Sequence, residues 1–327
     1  MPTRPLRGCG QTDMPTDARV NLPLKGIGLK LTSVVVFVIM AALIKVVANH
    51  VPAGETVFFR SLFAAPVILV WLIATRTVKA GLTTGDFLGH FWRGLAGTTA
   101  MGFSFAGYGL LPLPEVTALG YAAPLLTVIF AAMFLGEEVR GYRIFCVALG
   151  MAGVLVVMSP RLTALSSGDV GAREALGAMV VLIGAVFAAL AQVFVRRLVS
   201  TESTSAIVFY FSLNSALLAL VTLPFGWVWP DFWTAVILIS CGLLGGVGQV
   251  LLTSAYRYAD ASVVAPFDYA SMLLALGVGY FGFDEVPTRM VLMGAALVIF
   301  AGILIILRER KLGLERAGQR RSMTPQG

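Results

Sequence analysis

Long uncharged apolar runs recur along the whole chain, and short polar connections separate them. A run of eighteen or more such residues predicts a membrane-spanning helix, because roughly 20 residues are needed to cross the hydrocarbon layer. The pattern predicts ten spans, with these bounds: 27–47, 56–75, 90–110, 115–135, 142–159, 176–196, 205–223, 233–256, 262–282 and 289–307. The predicted fold class is therefore an all-α integral membrane protein.

Turn-forming residues fill most of the connections, and the longest connection lies at the middle of the chain. The polar stretch SPRLTALSSGDVGARE, 159–174, indicates a linker between two halves. We therefore divide the chain into an N-terminal tail, a first five-helix unit, a linker, a second five-helix unit and a basic C-terminal tail: 1–25, 26–159, 160–175, 176–307 and 308–327.

Lysine and arginine are distributed very unevenly over the two predicted faces of the membrane. With the N-terminus inside, the inner segments hold 19 of the 24 basic residues and the outer loops hold 3. Because basic residues are retained on the cytoplasmic side, this ratio predicts that both termini are cytoplasmic. It also explains the net charge of +7, and it makes the tail RERKLGLERAGQRR a stop-transfer and lipid-surface segment rather than a nucleic-acid site.

Composition excludes an ordinary soluble domain. The chain has 327 residues, of which 58% are hydrophobic and only 13% are charged, against about 25% charged in soluble proteins. Residues 1–25 are polar and lack the apolar core of a signal peptide, so we expect the first helix to stay as an anchor. Met14 is an alternative start. The three cysteines have no metal or disulfide spacing.

The two halves resemble each other in sequence. TVFFRSLF (56–63) aligns with IVFYFSLN (207–214) at an offset of 151, and LGEEV (135–139) aligns with GFDEV (282–286) at an offset of 147. Five spans that start inside end outside, so a second copy would be inverted across the membrane. Inverted repeats are typical of secondary transporters with a site near the midplane.

The chain resembles the drug/metabolite transporter superfamily in its EamA-type branch. Its features are Lys45, the arginine of FFRSLF, YAAPLLTVIFAAMFLGEE and AYRYADASVVAPFDYAS. LPLPEVTALGYAAPLLTVIFAAMFLGE and FWRGLAGTTAMG look most like bacterial riboflavin-uptake members, although amino-acid and metabolite exporters look similar. The resemblance implies a ten-helix bundle with a central cavity, often dimeric, and a small-molecule substrate.

Asp268 is the one carboxylate that we place well inside a predicted span. Charged groups there are costly and usually functional. Two interpretations stay open. It is either a proton-linked switch or substrate hydrogen-bond acceptor, or a carboxylate tied down near the cytoplasmic interface by Arg257 or Arg93.

Three basic residues are also candidates. Arg60, where the resemblance implies a recurring arginine, is predicted to hold a substrate anion or carbonyl, or to pair with Glu55 or Glu115. Lys45 is predicted to reach the outer surface. Alternatively, Lys45 and Arg196, which align at the offset of 151, form a pair of gate charges, one on each side.

Polar and aromatic residues within the spans, several of them on helical stripes, complete the predicted substrate site; such residues either face a wet cavity or form hydrogen bonds between helices. They are Thr98, Phe105, Tyr121, Gln192, Gln249 and Tyr269. We predict close packing at the glycines of the third and eighth spans, and a peripheral position, as scaffold or dimer surface, for the fifth and tenth spans.

Two other classes of protein were weighed. An intramembrane enzyme needs clustered acids or a His/Glu metal motif, and His50 and His90 lie at opposite predicted faces. A receptor or assembly factor needs a folded extramembrane domain, and no loop is long enough for one. We therefore expect a transporter with riboflavin uptake as the first hypothesis and export of amino acids or related metabolites as the second. We expect no catalytic residues, metal or cofactor.

Overall fold

A computed structural model describes residues 23–135, 141–164, 169–199, 201–259 and 264–322. Every regular element within these ranges is helical. The α-helices are α1 (Pro23–Val47), α2 (Ala53–Ala74), α3 (Val78–Leu82), α4 (Phe87–Leu110), α5 (Leu113–Gly120), α6 (Ala122–Leu135), α7 (Gly141–Ala164), α8 (Asp169–Leu198), α9 (Thr204–Ala219), α10 (Phe232–Tyr258), α11 (Ala270–Phe283) and α12 (Arg289–Ser322). Two 3₁₀ segments, Leu220–Phe225 and Ala265–Tyr269, extend α9 and precede α11.

Eight helices in the described part of the chain are long and apolar enough to cross a membrane. The apolar helix Phe267–Phe283 is shorter, and α4 is not among the eight. The mean hydropathy of α4 is lowered by its glycines, serine and threonines together with His90 and Arg93. The all-helical membrane class is thus supported, while the count of ten spans in a 5+5 arrangement is not confirmed.

Two of the predicted spans are interrupted, and the interruptions lie at equivalent places of the two copies. The fourth predicted span breaks at Tyr121, between α5 and α6. Pro124 has no N–H to donate to the carbonyl of Gly120, which weakens the α-helix there. The ninth begins as a 3₁₀ turn that contains Asp268, 147 residues after Tyr121. Discontinuous helices of this kind surround binding sites in many transporters.

The connections are more helical than the sequence indicated. Helix α7 continues to Ala164 and α8 begins at Asp169, so helix occupies most of the predicted linker 160–175. Helix α12 likewise continues through most of the predicted basic tail to Ser322. The LGEE motif, the Met14 start and residues 1–22 lie outside the described residues.

The most extensive helix–helix contacts join the two halves rather than helices of the same half. Helix α1 lies along α10 and α4 lies along α8, while α2 packs on α9, α5 on α11 and α7 on α12. The last helices of the two halves approach very closely. A Cβ on Gly153 would lie 2.8 Å from the carbonyl oxygen of Gly294. Helices α7 and α12, which we predicted to be peripheral, therefore form one paired scaffold.

The glycines of α4 and α10 also permit close helix contacts. A Cβ on Gly94 would lie 2.7 Å from the Cβ of Asn214 on α9, and one on Gly246 would lie 2.8 Å from the Cβ of Val67 on α2. Gly102 has open space instead. Close packing is thus the main role of these glycines, with Gly102 as an exception.

Candidate functional site

A cavity of about 210 Å³ lies between the halves. It is lined by α1, α4, α5, α6, α8 and α11, and its polar lining groups are Ser104, Tyr108, Thr117 and Ser271. Pockets for drug-sized ligands are usually about 300–1,000 Å³. The cavity is therefore smaller than the pockets that usually hold ligands of that size.

The two interrupted spans meet at one side of this cavity. The Tyr121 hydroxyl lies 2.6 Å from the Ser271 hydroxyl and donates to the backbone carbonyl of Asp268 at 3.2 Å. The rings of Tyr121 and Tyr269 lie 5.2 Å apart. The carbonyl of Asp268 thus accepts a hydrogen bond from a side chain of the other half.

Asp268 is paired, but not with the partners that we predicted. Its Oδ1 lies 2.6 Å from the Nζ of Lys30 on α1. Lys30 is buried, while the Asp268 side chain is 48% exposed. Arg93 lies against Phe211 instead, and the side chain of Arg257 is outside the described part of the structure. No sequence pattern pointed to Lys30 as this partner, although it lies within the first predicted span, 27–47, and within α1.

Lys45 does not reach the surface as predicted. Its Nζ lies 2.7 Å from the Oε1 of Glu285, and both side chains are largely buried, with 13% and 15% exposed. The same ammonium donates to the carbonyl oxygens of Leu111 at 2.8 Å and Tyr108 at 3.3 Å. Glu285 also accepts the N–H of Leu113 at 2.8 Å. This cluster fastens α1 and the end of α4 to the segment that follows α11.

Arg60 is paired with neither Glu55 nor Glu115. It projects from α2 into the interior, is buried, and has its Cζ 6.0 Å from the centre of the Phe211 ring. Glu55 instead accepts the N–H of Val228 at 3.0 Å. A second arginine, Arg93 of α4, lies 3.5 Å from the same ring centre. Two guanidinium groups therefore share one aromatic ring of α9.

The remaining predicted site residues fall in different surroundings. Thr98 donates to the hydroxyl of Ser215 at 2.8 Å, and Phe105 is buried and lies 6.4 Å, ring to ring, from Tyr108. Gln249 is half-buried, whereas Gln192 and Arg196 are exposed. The contacts bring Tyr121, Tyr269 and Asp268 together, and the structure does not join the two amides to them.

A further contact between the halves lies near the starts of α4 and α9. The side chain of Glu202, 5% exposed, accepts the hydroxyl of Thr84 and the N–H groups of Gly85 and Asp86 at 2.8–3.0 Å, and lies 3.6 Å from His90. Burial opposes ionisation of Glu202, but these hydrogen bonds outweigh it and lower the pKa of its carboxyl. No sequence pattern pointed to this contact.

No group of three or more metal-ligating side chains occurs in the ranges that the structure covers. The described residues form a small, largely apolar cavity with four polar side chains between two intertwined halves, and ion pairs cross between the halves near each end. These features define a polytopic membrane protein of the transporter class.

The sequence identifies the family within that class. The pattern of the EamA-like transporter family matches residues 24–159 and again residues 175–308, so the chain belongs to this family. A pseudopaline exporter of Pseudomonas aeruginosa is 30% identical over 292 residues, covering 88% of this chain and 97% of the exporter. An S-adenosylmethionine uptake transporter of Rickettsia bellii is 26% identical over 288 residues, covering 88% of this chain and 94% of the transporter.

The fold has a solved counterpart. A crystal structure, described only as that of a protein, superposes with a TM-score of 0.60 at 20% identity and covers 88% of this chain and 98% of its own. The relatives include both an exporter and an uptake transporter. Family membership therefore indicates transport as the general activity. It does not determine the direction of transport or the substrate.

Proposed function

We propose that the chain carries a small organic metabolite across a bacterial inner membrane by alternating access between two inverted five-helix units, 26–159 and 176–307, with both termini cytoplasmic. The observation that carries this proposal is the twofold occurrence of the family pattern in helices that pack across the halves. In one state the two units have different conformations, and the site between them is open to one side of the membrane. When the units exchange conformations, the site opens to the opposite side.

The contacts that join the halves support this mechanism because they lie towards both ends of α1. Lys30 and Lys45 are 15 residues apart on α1, or about 22 Å at 1.5 Å per residue. Lys45 is fastened to Glu285 in a largely buried pair, and Lys30 is fastened to the half-exposed Asp268. We propose that these pairs close the two ends of the pathway, with Asp268 as the proton-linked group.

The substrate of the proposal is a metabolite rather than riboflavin in particular. The reported relatives whose names give a substrate act on pseudopaline or S-adenosylmethionine, and they lend no support to riboflavin. Export, our second hypothesis, agrees with the pseudopaline relative, while uptake agrees with the S-adenosylmethionine relative.

The test is counterflow in proteoliposomes, which detects a carrier in either direction. Vesicles loaded with unlabelled pseudopaline, S-adenosylmethionine, riboflavin or an amino-acid mixture are diluted into trace labelled compound. We expect transient accumulation of at least one label, absent from protein-free vesicles. A lack of counterflow for every compound in correctly folded protein would contradict the proposed substrate range, and steady conductance without counterflow would contradict alternating access.

A further inference from the structure

Two buried cations lie together in the interior of the helix bundle. Arg60 is the eighth residue of the 22-residue helix α2, and Arg93 is the seventh residue of the 24-residue helix α4. Both guanidinium groups lie against the ring of Phe211, at 6.0 Å and 3.5 Å from its centre. Cation–π contact with the ring stabilises each charge only in part.

The protein supplies no acceptor for several of their N–H groups. The Nε of Arg60 and the Nε and Nη1 of Arg93 are buried and have no hydrogen-bond partner, and no carboxylate of the described residues forms an ion pair with either arginine. Buried polar groups in proteins are almost always paired. A charged side chain inside a membrane-spanning helix is costly unless it is paired. The described residues thus leave two neighbouring buried charges without a counter-charge, which a bound anion would supply.

The internal repeat indicates that the fold itself does not need these cations. At the offset of 151, the position equivalent to Arg60 is Phe211. WRGLAG (92–97) aligns with SCGLLG (240–245) at an offset of 148, so the position equivalent to Arg93 is Cys241. The second half thus builds the corresponding helices with neutral residues. The arginine pair is an addition to one half of a duplicated scaffold.

Glycines pack closely against both side chains. A Cβ on Gly97 would lie 3.4 Å from the Nη1 of Arg93, and a Cβ on Gly245 would lie 3.0 Å from the Nε of Arg60. A larger residue at Gly245 would press on the guanidinium of Arg60 directly. The N–H groups are enclosed by protein in this arrangement, so a ligand reaches them only when the surrounding helices move apart.

We propose that Arg60 and Arg93 bind the carboxylate of a transported organic anion, with the ring of Phe211 packed against both guanidinium groups. The inference rests on the proposed transport function and assigns its substrate class. The planar fork of arginine matches a carboxylate with two parallel hydrogen bonds, which lysine cannot reproduce. A ligand carboxylate supplies both the missing acceptors and the missing negative charge.

The first test measures binding and does not require the natural substrate. Purified protein in lipid nanodiscs is heated with benzoate or succinate, and separately with benzamide or succinamide, which have nearly the same shape without the charge. We expect the carboxylates, and not the amides, to raise Tm. We expect Arg60→Gln and Arg93→Gln to weaken the apparent affinity at least about tenfold, since each loses a charge-assisted hydrogen bond.

Two kinds of variant separate binding from folding and from net charge. Lys79→Gln removes one positive charge from an exposed position of α3 and should bind as the unaltered protein does. Arg60→Lys and Arg93→Lys keep the charge, and we expect folded protein that binds carboxylates more weakly than the arginine form. Equal Tm shifts by acids and amides, no shift by any carboxylate, or an equal loss in Lys79→Gln would overturn the proposal.

Transport then distinguishes this inference from the function on which it rests. In counterflow with whichever compound is carried, we expect Arg60→Gln and Arg93→Gln to raise the half-saturating concentration at least about tenfold. Counterflow that is unchanged in both variants would overturn the anion site and leave the transporter intact. Carboxylate binding without counterflow would leave the site intact and contradict the transport function.

Discussion

The ion pair between Lys45 and Glu285 gives a direct test of how one end of the bundle is closed. The substitution Glu285→Gln keeps the size of the side chain and an oxygen that can accept the N–H of Leu113. It removes the negative charge that faces the Lys45 ammonium at 2.7 Å. We expect this change to favour the arrangement in which the Lys45 end is open.

The magnitude follows from the burial of the pair. Removing one partner of a fully buried ion pair costs about 3–5 kcal/mol, and a hydrogen bond to a charged group contributes about 1.5–3 kcal/mol. The exposed fractions of 13% and 15% and the two carbonyl oxygens that still accept from Lys45 favour the lower range. We take about 2 kcal/mol, which shifts the equilibrium between closed and open forms roughly 30-fold.

The assay is the rate at which a buried cysteine reacts from one side. Ala41 lies one turn before Lys45, is 8% exposed and lines the central cavity. Ala41→Cys is introduced into a chain from which the native cysteines have been removed, and a membrane-impermeant thiol reagent is added to oriented vesicles. Because labelling follows the open population, we expect Glu285→Gln to raise the rate from the Lys45 end roughly 30-fold and not to raise it from the other end.

The adjacent residue provides a matched control. Asp284 is exposed and has a left-handed backbone, φ 54°, which asparagine adopts readily. Asp284→Asn therefore removes the same charge from the next position without affecting Lys45, and we expect the labelling rate to stay unchanged. An equal increase in both variants, or none in Glu285→Gln, would show that the pair does not hold this end closed.

Three further predictions concern other contacts between the halves. Folding lowers the pKa of the Glu202 carboxyl, so the stability that this group gives the fold is present above the ordinary pKa of about 4.3 and is lost as pH falls through the lower folded value. Glu202→Gln should therefore reduce Tm at pH 7 and reduce it much less near pH 3. Gly294→Ala should destabilise the fold by about 1–3 kcal/mol, measured by thermal unfolding, whereas Gly277→Ala, which meets open space, should not. Asp268→Asn removes the charge that faces the buried Lys30, so it should cost about 1–3 kcal/mol, between the values for a surface pair and a fully buried pair, and it should abolish any pH dependence of counterflow; an unchanged pH profile would exclude the proton role.

Local sequence predicted the helices well because crossing a membrane imposes a local requirement, a run of apolar residues of sufficient length. It was less informative for α4, whose glycines and Arg93 lower its hydropathy although it packs within the bundle along α8. The helix breaks at Tyr121 and Asp268 were not predicted, although Pro124 and Pro266 stand beside them. A proline indicates a weakened helix but does not say which carbonyl finds another partner.

Pairing partners could not be predicted in the same way, because they are set by tertiary packing. Lys45 and Glu285 are distant in sequence, and nothing local to Lys45 distinguishes a buried pair from a side chain that reaches the surface. Arg93 lies in the third predicted span, 90–110, but was considered only as a partner of Asp268. The alignment of WRGLAG with SCGLLG was the sequence feature that could have drawn attention to it.

Comparison of the two copies of the repeat distinguishes the residues that helix packing requires in both halves from the residues that occur in one half alone. The scaffold requires small residues where helices cross, and these recur in both copies, as Gly94 and Gly242 do. The two buried arginines do not recur, since Arg60 and Arg93 fall on Phe211 and Cys241. The two halves can exchange conformations only if their packing is similar. A site on the axis between them, by contrast, binds one ligand in one orientation. An asymmetric ligand therefore needs asymmetric side chains on a symmetric scaffold, and the buried arginine pair is where that asymmetry has the largest electrostatic effect.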